Sequence, residues 1–160
     1  MKPLYGEFDL GIDEKCRLSI PAELRRAIDP EKDGTSFYVV EGDNGALWLY
    51  VESIYESMAF RSETDLMPEP DLVEFDQLSF TLATKVDLDA QGRVLIQEKI
   101  LRRAGLGKEI TLIGVRDHIE LWNREAWLVQ REKLRARRQE IAERARHLRH
   151  ARSQGAAKTN

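Results

Sequence analysis

Cysteines and long hydrophobic runs are both scarce in this sequence of 160 residues. Cys16 is the only cysteine, which excludes a small secreted scaffold held together by disulfides. The apolar runs are only a few residues long, whereas a membrane-spanning helix needs about 20 apolar residues. The first residues contain no apolar signal segment. These absences predict a cytoplasmic protein with no membrane partner.

Sequence signatures of catalysis and of metal binding are also lacking. There is no glycine-rich phosphate loop, no nucleophile elbow and no zinc-binding signature. His147 and His150 have a spacing that metal ligands use, but no third ligand accompanies them. We therefore predict that the protein is not an enzyme, has no cofactor and no metal site, and has no small-molecule substrate.

The charge is nearly balanced overall but unevenly distributed along the chain. The 25 Lys and Arg and 28 Asp and Glu leave a net charge of −3. Residues 131–152 contain nine basic and three acidic residues, whereas residues 52–76 contain eight acidic residues and one basic residue. Nucleic-acid-binding proteins usually carry a basic surface. Here such a surface would have to be local, made by folding a few Arg and Lys side chains onto one face.

An internal repeat is the most informative feature of the sequence. The segment Leu10–Ile20 recurs in the second half of the chain as Val86–Ile96. When the alignment is continued over residues 10–26, four pairs are identical: Asp13 and Asp89, Arg17 and Arg93, Ile20 and Ile96, and Arg26 and Arg102. Further along, the spacing between the copies becomes slightly shorter, and Leu49-Tyr50 matches Leu121-Trp122. Each half is too short to bury a core alone, so the repeat predicts two halves that fold together around a pseudo-two-fold axis.

Each half is predicted to contain the same series of elements: a strand, a turn, a short strand, a short helix and a β-hairpin. In the first half these are Phe8–Ile12, Asp13–Cys16, Leu18–Ile20, a helix opened by Pro21, the strands Phe37–Val40 and Leu47–Tyr50, and a further helix from Glu52 or Ser53. In the second half they are Val86–Leu88, Asp89–Gly92, Val94–Ile96, Glu98–Ala104, and the strands Ile110–Val115 and Ile119–Trp122. A helix is also predicted over 72–83. His118, in the loop of the second hairpin, is predicted to be a surface residue.

The basic C-terminal part of the chain is predicted to be helical over 124–150. Four apolar residues recur there in every seventh position and are expected on its buried side: Trp127, Leu134, Ile141 and Leu148. This is half of a heptad pattern, which is too weak to predict a coiled coil.

Two Asp-x-x-x-Arg motifs, Asp13 to Arg17 and Asp89 to Arg93, stand in equivalent places of this duplication, each flanked by alternating aliphatic residues. In these motifs and their surroundings, over residues 5–130, the sequence resembles the MraZ family of bacterial transcription regulators. The sequence departs from the family pattern at Cys16, where glycine is usual. The resemblance implies an α+β fold of duplicated swapped-hairpin (AbrB-like) β-barrel modules with short helices and a C-terminal helix.

Four segments are expected on this basis. Residues 1–60 would form the first AbrB-like module, and residues 81–130 the second. Residues 61–80 would be an acidic connecting segment, and residues 131–160 a basic helical tail with a disordered end.

The resemblance also implies that Arg17 and Arg93 contact DNA. A guanidinium fork suits both phosphate oxygens and the N7/O6 edge of guanine. Asp13 and Asp89 are expected to have a structural role, in which each carboxylate caps backbone N–H groups of its turn and pairs with the arginine. The alternative is that the Asp–Arg pairs do nothing more than hold the turns together.

Other basic and polar residues near the motifs are candidate DNA contacts. Lys15 and Gln91 occupy the same position of the two turns, where lysine suits a phosphate and glutamine can read a base. Four arginines on the short helices are either phosphate contacts or part of a solvated helix surface: Arg25, Arg26, Arg102 and Arg103.

The function implied by the resemblance is that of a sequence-specific DNA-binding transcriptional regulator associated with the nucleoid. Such a protein would form a homo-oligomeric ring, often of eight subunits, and bind short direct repeats in double-stranded promoter DNA. It would repress its own division and cell-wall operon. The alternative is a swapped-hairpin protein-interaction module of the antitoxin or scaffold type. RNA binding is a weaker third idea, because the aromatic strand signature of RNA-recognition modules is missing.

Overall fold

The structure is a computed structural model that describes residues 1–42, 44–60 and 69–157, with side chains described up to residue 152. Asp43, in the first predicted hairpin loop, and residues 61–68 of the predicted connecting segment lie outside the described residues. Contacts divide the chain into two compact units, Met1–Arg124 and the part that begins at Glu125.

Eight strands and seven helices are found in the described residues. The strands are β1 (Glu7–Gly11), β2 (Arg17–Ser19), β3 (Ser36–Glu41), β4 (Leu47–Val51), β5 (Thr84–Asp87), β6 (Arg93–Leu95), β7 (Glu109–Val115) and β8 (His118–Asn123). The helices are α1 (Ala22–Arg25), α2 (Pro30–Asp33), α3 (Glu52–Ala59), α4 (Pro70–Leu82), α5 (Glu98–Arg103), α6 (Arg124–Ala136) and α7 (Arg138–Ala157). The fold is therefore mixed α and β, and the predicted strands and helices are confirmed. Only α2 was not predicted.

Two antiparallel sheets organise the first unit. Six strands form one sheet in the order β1-β7-β8-β4-β3-β5, and β2 pairs with β6 in a separate two-stranded sheet. Strands of one half pair with strands of the other: β1 lies beside β7, and β5 lies beside β3. This exchange brings the two halves into one structure, because neither half contains a complete sheet of its own.

The pairing registers follow the internal repeat. In the β2–β6 ladder Leu18 pairs with Val94, which is its own equivalent in the alignment that matches Asp13 with Asp89. In the β4–β8 ladder Trp48 pairs with Glu120, again its own equivalent in the alignment that matches Leu49 with Leu121. A residue can face its own counterpart only where a two-fold relation passes between the strands.

The core is built from the apolar residues that alternate along these strands. Fully buried residues of both halves form one cluster, which includes Leu18, Leu49, Val94, Ile110 and Leu121. On the other side of the large sheet lie aromatic residues and His118. α4 has no buried residue, although its sequence is largely apolar.

The C-terminal unit is helical, but the predicted buried stripe is wrong in part. α6 and α7 are separated at Arg137. Trp127 is buried, whereas Leu134 and Leu148 are 41% and 66% exposed. One apolar residue every two turns makes a stripe that is too narrow to bury, and charged and polar residues occupy most of the positions between its members. In the described part of the chain, no helix combines the length and apolar character that crossing a bilayer requires.

Candidate nucleic-acid interface

The first Asp-x-x-x-Arg motif forms a compact turn between β1 and β2. Asp13 Oδ1 accepts hydrogen bonds from the backbone N–H groups of Lys15 and Arg17, both at 2.9 Å. Asp13 Oδ2 accepts from Arg17 Nε at 2.7 Å. Backbone bonds from Asp13 N to Arg17 O and from Cys16 N to Asp13 O close the turn. Cys16 has φ 58°, a left-handed conformation that is unusual for a residue with a Cβ atom.

The second motif repeats this arrangement between β5 and β6. Asp89 Oδ1 accepts from the backbone N–H groups of Gln91 and Arg93 at 2.9 Å, and Asp89 Oδ2 accepts from Arg93 Nε at 2.8 Å. Gly92 takes the left-handed position with φ 76°. In both turns the aspartate thus accepts the backbone N–H groups and pairs with the arginine, as expected for its structural role. These bonds hold the Nε end of each guanidinium against its own turn.

The fold brings the two turns together. Ile20 N donates to Gly92 O at 2.9 Å, and Ile96 N donates to Cys16 O at 3.0 Å, so that each half contributes a backbone bond to the turn of the other. The β2–β6 ladder then holds Arg17 and Arg93 in one two-stranded sheet. The sequence alone does not reveal this proximity, because the motifs lie in different halves of the chain.

Both turns are open to solvent and carry ionised pairs. The Arg17 and Arg93 side chains are 31% and 28% exposed. Hydrogen bonds from the Arg17 backbone N–H and then from its guanidinium lower the pKa of Asp13, and Arg93 lowers the pKa of Asp89 in the same order of causes. Both carboxylates therefore stay ionised at neutral pH and keep the arginines in place.

The residues at the third position of the motifs behave differently in the two turns. Lys15 is exposed, and within the described residues its ammonium group has no ion pair. Gln91 is also exposed, but its Oε1 accepts a hydrogen bond from Arg93 Nη2 at 3.2 Å. The second arginine is therefore held by two side chains and the first by one.

The four helix arginines occupy different environments. Arg25 Nε donates to Ile20 O at 3.0 Å, and its guanidinium lies so close to the second turn that a Cβ atom on Gly92 would be 2.7 Å from Arg25 Cζ. Arg102 pairs with Glu98 at 2.8 Å, on the edge of a concavity that Asp13 also lines. All four arginines are exposed, and Arg26, which was predicted on the first short helix, lies directly after the end of α1. Arg103 forms an ion pair with Glu41.

The prediction for His118 is wrong, because this residue is buried. Its Nδ1 lies 2.8 Å from Asp117 and its Nε2 lies 3.2 Å from Glu120, which is itself buried. Trp122 Nε1 and Asn44 Nδ2 also donate to Glu120, at 2.7 Å and 3.1 Å. His118 begins β8 rather than lying in the loop, and the sheet places it among carboxylates and aromatic rings.

Burial and hydrogen bonding act against each other on the pKa values of this cluster. Burial by itself would lower the pKa of His118, but hydrogen bonds to Glu120 and Asp117 outweigh it and raise the pKa. Burial would raise the pKa of Glu120, but its three donors lower it. No periodicity in the sequence could have identified this network, since its members come from two hairpins.

In the part of the chain that the structure describes, no group of three or more His, Cys, Asp or Glu side chains could hold a metal ion. The paired turns bring two arginines, a lysine and a glutamine to one two-stranded sheet and its flanking turns. This is a mixed α and β protein whose interleaved halves display two ion-paired arginine turns side by side.

Comparison with known proteins identifies the family. Residues 79–149 match a family profile described as "MraZ protein, putative antitoxin-like". Over 139 residues the chain is 33% identical to the Transcriptional regulator MraZ of Thermomicrobium roseum, and the match spans 87% of this chain and 94% of the relative. It is 32% identical to the Transcriptional regulator MraZ of Clostridium botulinum, over 77% of this chain and 83% of the relative. It is 30% identical to the Transcriptional regulator MraZ of Heliobacterium modesticaldum, over 86% of this chain and 93% of the relative. The chain belongs to the MraZ family, which confirms the resemblance seen in the sequence.

Proposed function

We propose that this protein is a DNA-binding transcriptional regulator that recognises double-stranded DNA in a sequence-specific manner through its paired turns. The observation that carries the proposal is that Arg17 and Arg93 project from two adjacent turns of the same geometry. The relatives named as transcriptional regulators support it. The acidic remainder of the molecule would suppress unspecific binding, while the clustered cations provide local attraction.

Within this function, Arg17, Arg93, Lys15 and Gln91 would contact DNA. Asp13 and Asp89 would keep the turns in shape. The helix arginines would add phosphate contacts, Arg25 beside the second turn and Arg102 beside the first. The strand exchange between the halves supports the interpretation of residues 1–60 and 81–130 as two AbrB-like swapped-hairpin modules.

Self-association is part of the same proposal. One chain offers only two turns, so that useful affinity requires several copies held together. α4 supports a homo-oligomer, since its residues Leu72, Phe75 and Leu78 are 58–64% exposed and a second copy of the chain would remove them from water. A ring of subunits would place many turns against short direct repeats of a promoter. The protein would then act in the cytoplasm at the nucleoid, as a repressor of its own division and cell-wall operon.

A titration tests the proposed function directly. The full chain is titrated at moderate salt with duplex DNA from the region upstream of its own gene and with a scrambled duplex of the same composition. We expect tighter binding to the first duplex and a footprint over short repeats. Equal affinity for both duplexes would contradict sequence-specific recognition.

A protein-interaction module of the antitoxin or scaffold type is the second candidate. The observation that favours it is that both motif arginines are already paired with aspartates of their own turns. If Arg17 only stabilises its turn, Arg17→Ala and Asp13→Ala should lose similar stability and show strong coupling in the double variant. A DNA-contacting arginine should instead lose DNA affinity with little change in stability.

A further inference from the structure

The two turns differ at one side chain that touches a motif arginine. In the second turn Gln91 Oε1 accepts from Arg93 Nη2 at 3.2 Å. In the first turn the equivalent residue is Lys15, whose ammonium group can only donate. A lysine cannot hold the neighbouring guanidinium, and like charges repel. The orientation of Arg93 is therefore supported from two sides and that of Arg17 from one.

The contacts of the Arg93 guanidinium show which of its N–H donors remain available for a ligand. Asp89 Oδ2 accepts from Nε at 2.8 Å and also lies 2.8 Å from Nη2. Since Nη2 faces Asp89 on one side and Gln91 on the other, the groups left over are the two hydrogens on Nη1. Among the described residues none accepts from Nη1. The amide nitrogen of Gln91 likewise retains its two hydrogens, so the pair presents donors from two adjacent side chains.

Two donors held side by side select for one base. In the major groove guanine presents two neighbouring acceptors, N7 and O6, whereas adenine presents one acceptor and one donor. A pair of donors oriented by this contact therefore matches guanine and leaves an unpaired donor against adenine, which is costly when water is excluded. In the first turn Arg17 is held through Nε alone, and Lys15 offers no acceptor that would orient its remaining donors. Two cations that are held from one side only suit phosphate oxygens of any sequence.

We propose that the second turn carries base discrimination, with Gln91 positioning Arg93 so that the two side chains together select guanine, while the first turn anchors the DNA backbone through Lys15 and Arg17. This division of labour rests on the proposed DNA-binding function. It assigns unequal roles to two turns whose backbone hydrogen bonds are the same.

Exchanging the third residues of the two motifs tests the assignment with matched variants. Gln91→Lys gives the second turn the residue of the first, and Lys15→Gln does the opposite. Both positions are exposed, so both variants should fold, which thermal unfolding verifies. Each protein is used to select duplexes from a random-sequence pool, and the affinity for the selected duplex is then measured over a range of salt.

We expect Gln91→Lys to lower the affinity ratio between guanine and another base at the selected position roughly tenfold per engaged turn. We expect Lys15→Gln to keep that preference and to reduce the slope of log affinity against log salt by about 0.9 per lost phosphate contact. Gln91→Glu keeps an acceptor for Arg93 but loses the amide donors, and it should also lose the guanine preference.

Three results would overturn the assignment. If Gln91→Lys retains the guanine preference, Gln91 does not position Arg93 for base recognition. If Lys15→Gln loses the guanine preference, base discrimination lies in the first turn. A wild-type protein that binds and selects a motif without guanine would show that the second turn reads something else. These results leave the proposed function intact, whereas a wild-type protein that selects no sequence at all would contradict both.

Discussion

The two halves of the molecule make the same turn with different residues. Cys16 adopts in the first turn the left-handed conformation that Gly92 adopts in the second. The carboxylate nevertheless accepts the same set of bonds in both turns, and its distance to the arginine Nε is 2.7 Å in the first and 2.8 Å in the second. The aspartate therefore determines the shape of the turn, and the left-handed residue only has to tolerate it. The two positions differ in their surroundings, because a Cβ atom on Gly92 would also displace the guanidinium of Arg25.

The hairpins of the two halves differ more than the turns. In the alignment that matches Leu49 with Leu121, His118 is equivalent to Ala46 and Glu120 is equivalent to Trp48. One half thus contributes a titratable pair to the sheet where the other contributes apolar and aromatic side chains. The two halves therefore share their strand pairing but differ in the side chains on this face of the sheet.

The largest expected effect distinguishes the arginines from the rest of the turns. Arg93→Ala should weaken operator binding by roughly 1–3 kcal/mol per contacted base, multiplied over the subunits that engage. Arg17→Ala should weaken binding with less effect on discrimination, because its turn is the proposed anchor. Operator affinity and thermal stability are measured together. Unchanged affinity in folded variants of both arginines would end the DNA-contact proposal for these residues.

The next effect concerns the left-handed positions. Gly92→Ala should destabilise the fold by about 1–3 kcal/mol, because alanine is strained at φ 76° and its Cβ atom would collide with Arg25. Cys16→Ala is the matched control, since Cys16 already carries a Cβ atom in this conformation. Chemical denaturation of the two variants gives the comparison. Equal losses at the two positions would show that neither the positive φ nor the contact with Arg25 makes a Cβ atom costly at Gly92.

A third prediction concerns the hairpin that contains His118. Because the pKa of His118 is raised above its ordinary 6.5, the charged form stabilises the fold below that pH, and this stabilisation is lost as the pH rises through the folded pKa. His118→Gln should cost on the order of 1 kcal/mol at pH 6 and much less at pH 9. Unfolding measured at both pH values checks this. His147→Gln, on the exposed surface of α7, is the control and should change neither value.

The smallest expected effect is a loss of hydrogen-exchange protection in both turns at low pH. The pKa values of Asp13 and Asp89 are lowered from 3.8, so their contribution is present above that value and is lost as the pH falls through the folded pKa. Asp13→Asn and Asp89→Asn should each remove part of this acid dependence. Amide hydrogen exchange at Arg17 and Arg93 between pH 5 and pH 2.5 reports it. A turn that stays protected in acid would show that its backbone bonds suffice without the carboxylate.

Much of this structure follows from local patterns in the sequence. Alternation of apolar residues predicted the strands, Pro21 predicted the start of the first short helix, and the predicted helix Glu98–Ala104 matches α5 to within one residue. The spacing of aspartate and arginine predicted a capped turn, because a carboxylate two and four residues before a backbone N–H can reach it. These features depend only on close neighbours in the chain.

The sequence by itself determined the repeated elements, the family and the residues that form the two turns. Only the tertiary structure decided that β1 pairs with β7, that Arg25 of one half covers Gly92 of the other, that His118 is buried beside Glu120, and that Leu134 and Leu148 remain exposed. The reason is physical: local hydrogen bonding and side-chain periodicity act between close neighbours, whereas strand partners and burial depend on segments that are far apart in the chain and meet only when the whole core is packed.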